Sequence, residues 1–214
     1  MLATNPCQRL DFFAKFAPYY NLALDVLTFG RYAAFQKKAI EVLAPEKGEK
    51  ILDLCSGTGR AASWMVTRVG DTGEVVGLDI TESMVRVAKQ RYEGRRNLIF
   101  LQRDVTEPLG YRNYFDGVFT SFAIHELPEG RRLEAFAYSY LALKEKGRMV
   151  ITDFNPQVSG IGKTALLFFF KLFERENFNF FSFEQNEILK KVGFKEVETF
   201  PVLAGMFQIT LTHK

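Results

Sequence analysis

Lys50-Ile51-Leu52-Asp53-Leu54-Cys55-Ser56-Gly57-Thr58-Gly59 is the stretch whose reading decides the fold. A short apolar strand runs into an acid, then into a turn with two glycines, and Arg60 to Val69 reads as a helix. Glycine has no Cβ and tolerates positive φ, so a ligand can approach the backbone closely at such a turn. The first N–H groups of the following helix lack intrahelical partners and point at the same spot. Further on, Glu74-Val75-Val76-Gly77-Leu78-Asp79 reads as a second strand ending in a carboxylate. A carboxylate there can accept hydrogen bonds from the two hydroxyls of a ribose. Together the stretches propose a nucleoside-binding βαβ unit in a doubly wound α/β sheet.

The turn also fits a dinucleotide fingerprint, Gly57-x-Gly59-x-x-Ala62. Asp53 tilts the choice. A pyrophosphate seated over this turn would be repelled by a carboxylate at the strand end, whereas S-adenosylmethionine offers an ammonium and a sulfonium, both cationic. A solvated or helix-capping carboxylate is the bland alternative for Asp53.

The chain has 214 residues, enough for one domain with a full core. Its 47% apolar and 25% charged content is that of an ordinary soluble protein. A net charge of +3 argues against a dedicated nucleic-acid binder and permits weak attraction to an anionic surface. Cys7 and Cys55 give neither a disulfide framework nor a metal-ligand cluster, so no metal is expected and a reducing cytoplasm is the default location. The N-terminus lacks a basic region followed by an apolar run, the pattern of a signal peptide.

Residues 8–43 precede the first strand. They read as short amphipathic helices around Pro18 and a longer one from Tyr32 to Leu43, stopped near Pro45. This N-terminal addition, residues 1–45, is either a cover for the sheet or a lid over a pocket. The core, residues 46–214, then alternates. Strands are predicted at about 50–54, 74–79, 97–102, 114–119 and 147–153, with helices at about 60–69, 82–93, 129–143 and 161–175. Such alternation means a mostly parallel sheet. After a helix at 184–192, runs at 194–200 and 206–212 are too close for a parallel crossover and should form an antiparallel hairpin. The expectation is one domain with a seven-stranded, mostly parallel sheet ending in that hairpin.

Asp79 is spaced as a ribose-binding acid, with Ile80 and Met84 placed to lie against an adenine face; Met84 as core filler is the alternative. Thr120-Ser121-Phe122-Ala123-Ile124-His125-Glu126-Leu127-Pro128 follows the fourth strand, so Ser121 and His125 should face the crevice at the strand ends. His125 can act as a general base or as a hydrogen-bonding or gating residue.

Asp53-Leu54-Cys55-Ser56-Gly57-Thr58-Gly59 resembles motif I of the class I S-adenosylmethionine-dependent methyltransferases, and Asp79-Ile80-Thr81-Glu82-Ser83-Met84 resembles their second strand end. The resemblance covers nearly the whole chain. It implies a Rossmann-like fold with S-adenosylmethionine as cofactor, held by Asp53, Cys55, Gly57, Thr58, Gly59, Asp79, Ile80, Met84 and Ser121. It also implies that Asp104 accepts from the adenine amine and that the Val105 N–H reaches the ring. Within that class the chain is similar to the ubiquinone/menaquinone-biosynthesis C-methyltransferases, on Tyr20-Asn21-Leu22-Ala23-Leu24-Asp25-Val26-Leu27-Thr28-Phe29-Gly30, Gly73 to Met84 and Leu203-Ala204-Gly205-Met206. Asn21 stands where those enzymes usually carry Asp, and His125-Glu126 where they tend to carry Arg-Asn. The resemblance implies a small hydrophobic acceptor, a prenylated quinone precursor first and a phospholipid or other N- or O-acceptor second. His125 and Tyr20 are then the candidate bases, and Tyr19 or Tyr20 closes over the cofactor.

The run from Phe168 to Phe183 holds eight of the 22 phenylalanines, too many for one helix face to hide. It reads as an ordinary core helix or as an apolar wall for a long acyl or prenyl chain at about 160–183. With Lys163 and Lys171 beside it, the second reading adds reversible contact with a membrane surface. The rival classes are a nicotinamide-dependent oxidoreductase and a non-catalytic S-adenosylmethionine-binding module.

Overall fold

The structure, a computed structural model, describes residues 17–19, 21–22, 25, 30–127, 129–160, 164, 185–203 and 205–214. The predicted helix at 161–175 and the phenylalanine-rich run to Phe183 lie almost wholly outside the described residues. Tyr20 lies outside them too.

Seven strands form one sheet in the order β3-β2-β1-β4-β5-β7-β6. They are β1 (Lys50–Leu54), β2 (Glu74–Asp79), β3 (Leu98–Gln102), β4 (Phe115–Ser121), β5 (Leu143–Phe154), β6 (Lys195–Val202) and β7 (Phe207–His213). The first five pair in parallel. β7 runs antiparallel between β5 and β6, as the short connection requires. The described helices are α1 (Arg31–Leu43), α2 (Arg60–Val69), α3 (Glu82–Arg91), α4 (Glu129–Ala142) and α5 (Gln185–Val192).

Strand residues alternate between two buried layers because successive side chains leave opposite faces. Ile51, Val75, Phe119 and Val150 pack with α1, α2 and α3 on one face. Leu52, Val76, Val118 and Ile151 pack with α4 and α5 on the other. α1 is held by Phe35, Ala39, Ile40 and Leu43, a helical spacing that aims one stripe at the sheet. Full burial of Ile40 or Leu43 contributes about 1.5–3 kcal/mol each. The helix stops at Ala44, whose φ of 49° is left-handed, with Pro45 next.

β5 begins earlier than the sequence predicts. Leu143 pairs with Phe115, yet Arg148 already pairs with Gly117, so the residues between them bulge out and Lys146 takes a φ of 63°. Arg148 turns the bulge to use: it forms an ion pair with Glu49 at 2.7 Å and donates to the carbonyls of Leu43 and Ala44 at the end of α1. That ties the N-terminal helix to the sheet at the end away from the crevice.

Candidate active site

The carboxyl ends of β1, β2, β4 and β5 meet along one edge, where open α/β sheets bind ligands. Three of these strands carry an aspartate at or next to their last residue: Asp53, Asp79 and Asp153.

Asp53 is 2% exposed, and its Oδ2 has no hydrogen-bond partner. Burial pushes its carboxyl well above the ordinary carboxylate range, and the nearby Asp79 charge adds to this. Asp79 is shaped differently. One oxygen accepts from the Gly57 N–H and the other from the Thr81 N–H, both at 2.8 Å. The Thr81 hydroxyl also bonds to this carboxylate, so of its four lone-pair directions one remains for a ribose hydroxyl. Burial still raises the Asp79 carboxyl. The Cys55 thiol, pushed up by burial, also feels Asp79, Asp53 and Asp104. Asp104 therefore belongs to the same acidic corner, although its Oδ1 accepts from the backbone and hydroxyl of Thr106. Val105 beside it is buried in the core.

The two glycines of the turn serve different ends. Gly57 has a φ of 54°, and a Cβ there would meet nothing within 4 Å, so its face opens on the crevice. Gly59, with a φ of 78°, would drive a Cβ into the Phe100 ring. One glycine leaves room for a ligand and the other lets the turn pack on β3. Thr58 is buried and donates to Asn21 Oδ1 at 3.1 Å, which brings Asn21 against this turn.

Of the other predicted cofactor contacts, Ile80 is exposed at the rim, Met84 is buried, and Tyr19 is 65% exposed at the end of a short 3-10 turn, Ala17–Tyr19. Ser121 accepts from Gln36 and from Thr152, at 3.3 and 2.9 Å.

His125 sits in a 3-10 turn, Ile124–Glu126, and is 4% exposed. Its Nδ1 is 2.6 Å from Asp153 Oδ1, and its backbone N–H donates to Asp153 Oδ2 at 3.1 Å. Arg132 holds the turn by donating to the carbonyls of His125 and Leu127. Beside it lies an aromatic cluster. The His125 ring meets Phe154 edge-on at 4.9 Å, and Phe122 contacts Tyr32, Phe35, Phe154 and Phe207 at 5.2 to 5.4 Å. Burial pushes the Tyr32 hydroxyl up to about 12, against the lowering effect of Arg60.

Sequence reading did not single out Asp153, Tyr32, Gln36 or Arg60. Arg60 forms a two-pronged ion pair with Asp25 at 2.9 Å, donates to Gln36 and stacks over Tyr32. Only Asp153 left a usable signal: it is an acid near a strand end, like Asp53 and Asp79. Among the described residues no group of three or more His, Cys, Asp or Glu side chains is placed to hold a metal.

The residues present fit a cationic nucleoside. The orphan oxygen of Asp53 and the open face of Gly57 lie beside a carboxylate with room for a ribose. The sheet order, with β7 antiparallel between β5 and β6, departs from the dehydrogenase order. Fold and site together define a class I methyltransferase whose cofactor is S-adenosylmethionine.

The chain belongs to the ubiE/COQ5 methyltransferase family, whose sequence profile matches residues 4–177. It is 28% identical to the ubiquinone/menaquinone biosynthesis C-methyltransferase of Erwinia tasmaniensis, over 77% of this chain and 66% of that protein. It is 26% identical to the 2-phytyl-1,4-naphtoquinone methyltransferase of Thermosynechococcus vestitus, over 94% of this chain and 97% of that one. The chain thus spans about two thirds of the Erwinia relative and nearly all of the cyanobacterial one. Among solved structures, a SAM-dependent methyltransferase from Aquifex aeolicus matches with a TM-score of 0.62 and 19% identity, covering 83% of this chain and 88% of that one. A TehB-like SAM-dependent methyltransferase from Corynebacterium glutamicum matches at the same TM-score with 22% identity, covering 98% and 100%. These likenesses bear on the fold.

Proposed function

We propose that this protein methylates a ring carbon of a reduced, long-tailed quinone precursor. The observation that carries the reading is the buried His125–Asp153 pair set against the cluster of Tyr32, Phe35, Phe122, Phe154 and Phe207. A flat apolar ring suits those faces, and a proton acceptor stands beside them. The quinone chemistry of the named relatives supports the same acceptor.

Asp53 and Asp79 hold the cofactor, Asp53 toward its cationic end and Asp79 toward its ribose, with Gly57, Thr58 and Cys55 forming the floor and Gly59 packing the turn on β3 beneath them. Ile80, Met84, Asp104, Val105 and Ser121 complete the surround. When bound, S-adenosylmethionine supplies a methyl group on a sulfonium, and the electron pair of the breaking bond stays on sulfur. The reduced ring is the nucleophile, and it returns to aromaticity by losing a proton. The chain's main work is orientation and exclusion of water. The segment before α1 serves as the lid: Asn21 on Thr58 and Asp25 on Arg60 support this, with Tyr19 or Tyr20 as the residue that closes over the cofactor. The phenylalanine-rich segment to Phe183, with Lys163 and Lys171, takes the tail and touches the membrane surface from the cytoplasmic side. Among the described residues no helix is long and apolar enough to cross a membrane.

The test is transfer of an isotope-labelled methyl group to a reduced demethylated naphthoquinone, read by mass spectrometry, with long-tailed and tail-less acceptors compared. Ring-carbon methylation that favours the long tail is expected, with co-sedimentation on anionic vesicles. Transfer to phospholipid amines and none to any reduced quinone would overturn the reading.

A further inference from the structure

We infer that Asp153 is a positioning residue that keeps the proton of neutral His125 on Nδ1, so that Nε2 receives the proton leaving the acceptor ring. The inference rests on the quinone-methylating reading for the identity of that proton. The tautomer itself is a property of the protein alone.

The geometry is specific. Asp153 is 1% exposed; it accepts from the His125 N–H at 3.1 Å and from the Phe154 N–H at 2.8 Å, and its Oδ1 lies 2.6 Å from His125 Nδ1. The bond from the His125 N–H ties the carboxylate to the turn that carries the imidazole, and the bond from the Phe154 N–H fixes the carboxylate on β5, so ring and acceptor are held together. A short bond to a buried carboxylate demands a proton on Nδ1, because a carboxylate only accepts. Nε2 then carries the lone pair. On that side lies Glu126 Oε1, 3.5 Å away, with its side chain 28% exposed. His125 is therefore bracketed by a dry carboxylate that orients it and a wetter one that meets Nε2. The step balances simply: the ring C–H bond breaks, its electrons return to the ring, and the proton binds Nε2. The imidazolium so formed is flanked by Asp153 and Glu126, and Glu126 can pass the proton to water.

The groups that face His125 from the packed elements are Asp153 on β5, Glu126 in its own turn, the Arg132 guanidinium of α4 on its carbonyl, and the Tyr32 hydroxyl of α1 within electrostatic reach. The two carboxylates favour the protonated ring, and Arg132 opposes it.

The experiment has two arms. The chain contains two histidines, so ring-15N-labelled protein gives two sets of imidazole signals, and His213→Gln assigns them. At alkaline pH, where the ring is neutral, the expected result is an Nδ1–H tautomer for His125. In the second arm Asp153→Asn is expected to lower kcat by about 100-fold or more through the wrong tautomer. KM for the acceptor and affinity for S-adenosylhomocysteine should hold, and the acid limb of the pH–rate profile should move to lower pH because a neighbouring anion is gone. An Nε2–H tautomer in the wild type would overturn the inference, as would Asp153→Asn with wild-type kcat and pH profile. Should Asp153→Asn fail to fold, the wild-type tautomer decides. Failure of the quinone reading shows separately, as wild-type enzyme that gives the Nδ1–H tautomer yet leaves reduced quinones unmethylated.

Discussion

The two ends of the crevice handle buried charge in opposite ways. At β1 and β2, Asp53 keeps an oxygen without a partner, and Ser56 Oγ beside it is also unpartnered. At β5, Asp153 is as deeply buried but accepts two backbone hydrogen bonds and has His125 Nδ1 2.6 Å away. An unpaired buried acceptor costs about 1–3 kcal/mol. A protein bears that cost where a ligand will supply the missing partner. The first end is thus completed by a cation, while the second is complete already and presents an imidazole and aromatic faces. The proposed function takes the first as the cofactor edge and the second as the acceptor edge.

The largest effect that can break this division is on chemistry. His125→Ala is expected to slow methyl transfer by about 10²- to 10⁴-fold, the usual contribution of a positioned base. Binding of S-adenosylhomocysteine should be unchanged, since His125 stands at the other edge. Loss of cofactor binding in this variant, read by calorimetry, would merge the two edges into one.

A smaller effect separates two functions within the cofactor edge. Gly59→Ala forces a methyl into the Phe100 ring from a left-handed backbone and should cost about 1–3 kcal/mol of stability. Gly57→Ala pays only the backbone strain, about 1–2 kcal/mol, because its Cβ enters open space. If that space takes the cofactor, as proposed, Gly57→Ala loses S-adenosylhomocysteine affinity out of proportion to its stability. Denaturant unfolding paired with ligand titration checks both. Equal affinity losses in the two variants would remove the distinction between a floor glycine and a packing glycine.

The corner proposed to hold the cofactor was legible in the sequence because its parts are contiguous. Asp53, Gly57, Thr58 and Gly59 lie within one turn, and Asp79 ends the next strand, so spacing alone assembles the corner. The sheet was legible for a similar reason: apolar runs alternate with helical stripes, and the Pro201 to Gly205 gap forces the last two strands antiparallel. What the spacing could not reveal is that Asp79 also ties the Gly57 and Thr81 N–H groups. Nor does it reveal that Gly59 answers to Phe100, since β3 comes 40 residues later and meets the turn only in the fold. The acceptor edge was hidden more thoroughly. His125 needs Asp153, and Ser121 needs Gln36 and Thr152; these partners sit on different elements and share no local pattern. Arg60 reads from sequence as an ordinary first-turn residue of a helix, yet it joins Asp25, Gln36 and Tyr32. The start of β5 was misplaced because a bulge looks locally like a turn: Lys146 supplies the left-handed step while pairing resumes at Arg148.

The central claim is that Asp53 is held in readiness for a cationic cofactor, and proton-linked binding tests it most directly. Burial, with Asp79 nearby, raises the folded-state carboxyl of Asp53 above its unfolded value. In the window between the two values the folded protein holds a proton that the unfolded chain has released, so stability without cofactor falls as pH rises through that window. Asp53→Asn abolishes this loss, and above the window the variant should be more stable than wild type by about 1 kcal/mol or more. A cation at the site favours the ionised carboxylate, so S-adenosylmethionine binding should expel a proton in the same window. Calorimetric titration of S-adenosylmethionine in two buffers of different ionisation heat reads that proton for wild type and for Asp53→Asn. The account predicts proton release on binding to wild type, no release for Asp53→Asn, and an affinity at least about 10-fold weaker in the variant, as for loss of a charge-assisted hydrogen bond. Wild-type binding with no proton released across the window, or an Asp53→Asn affinity equal to wild type, would contradict it.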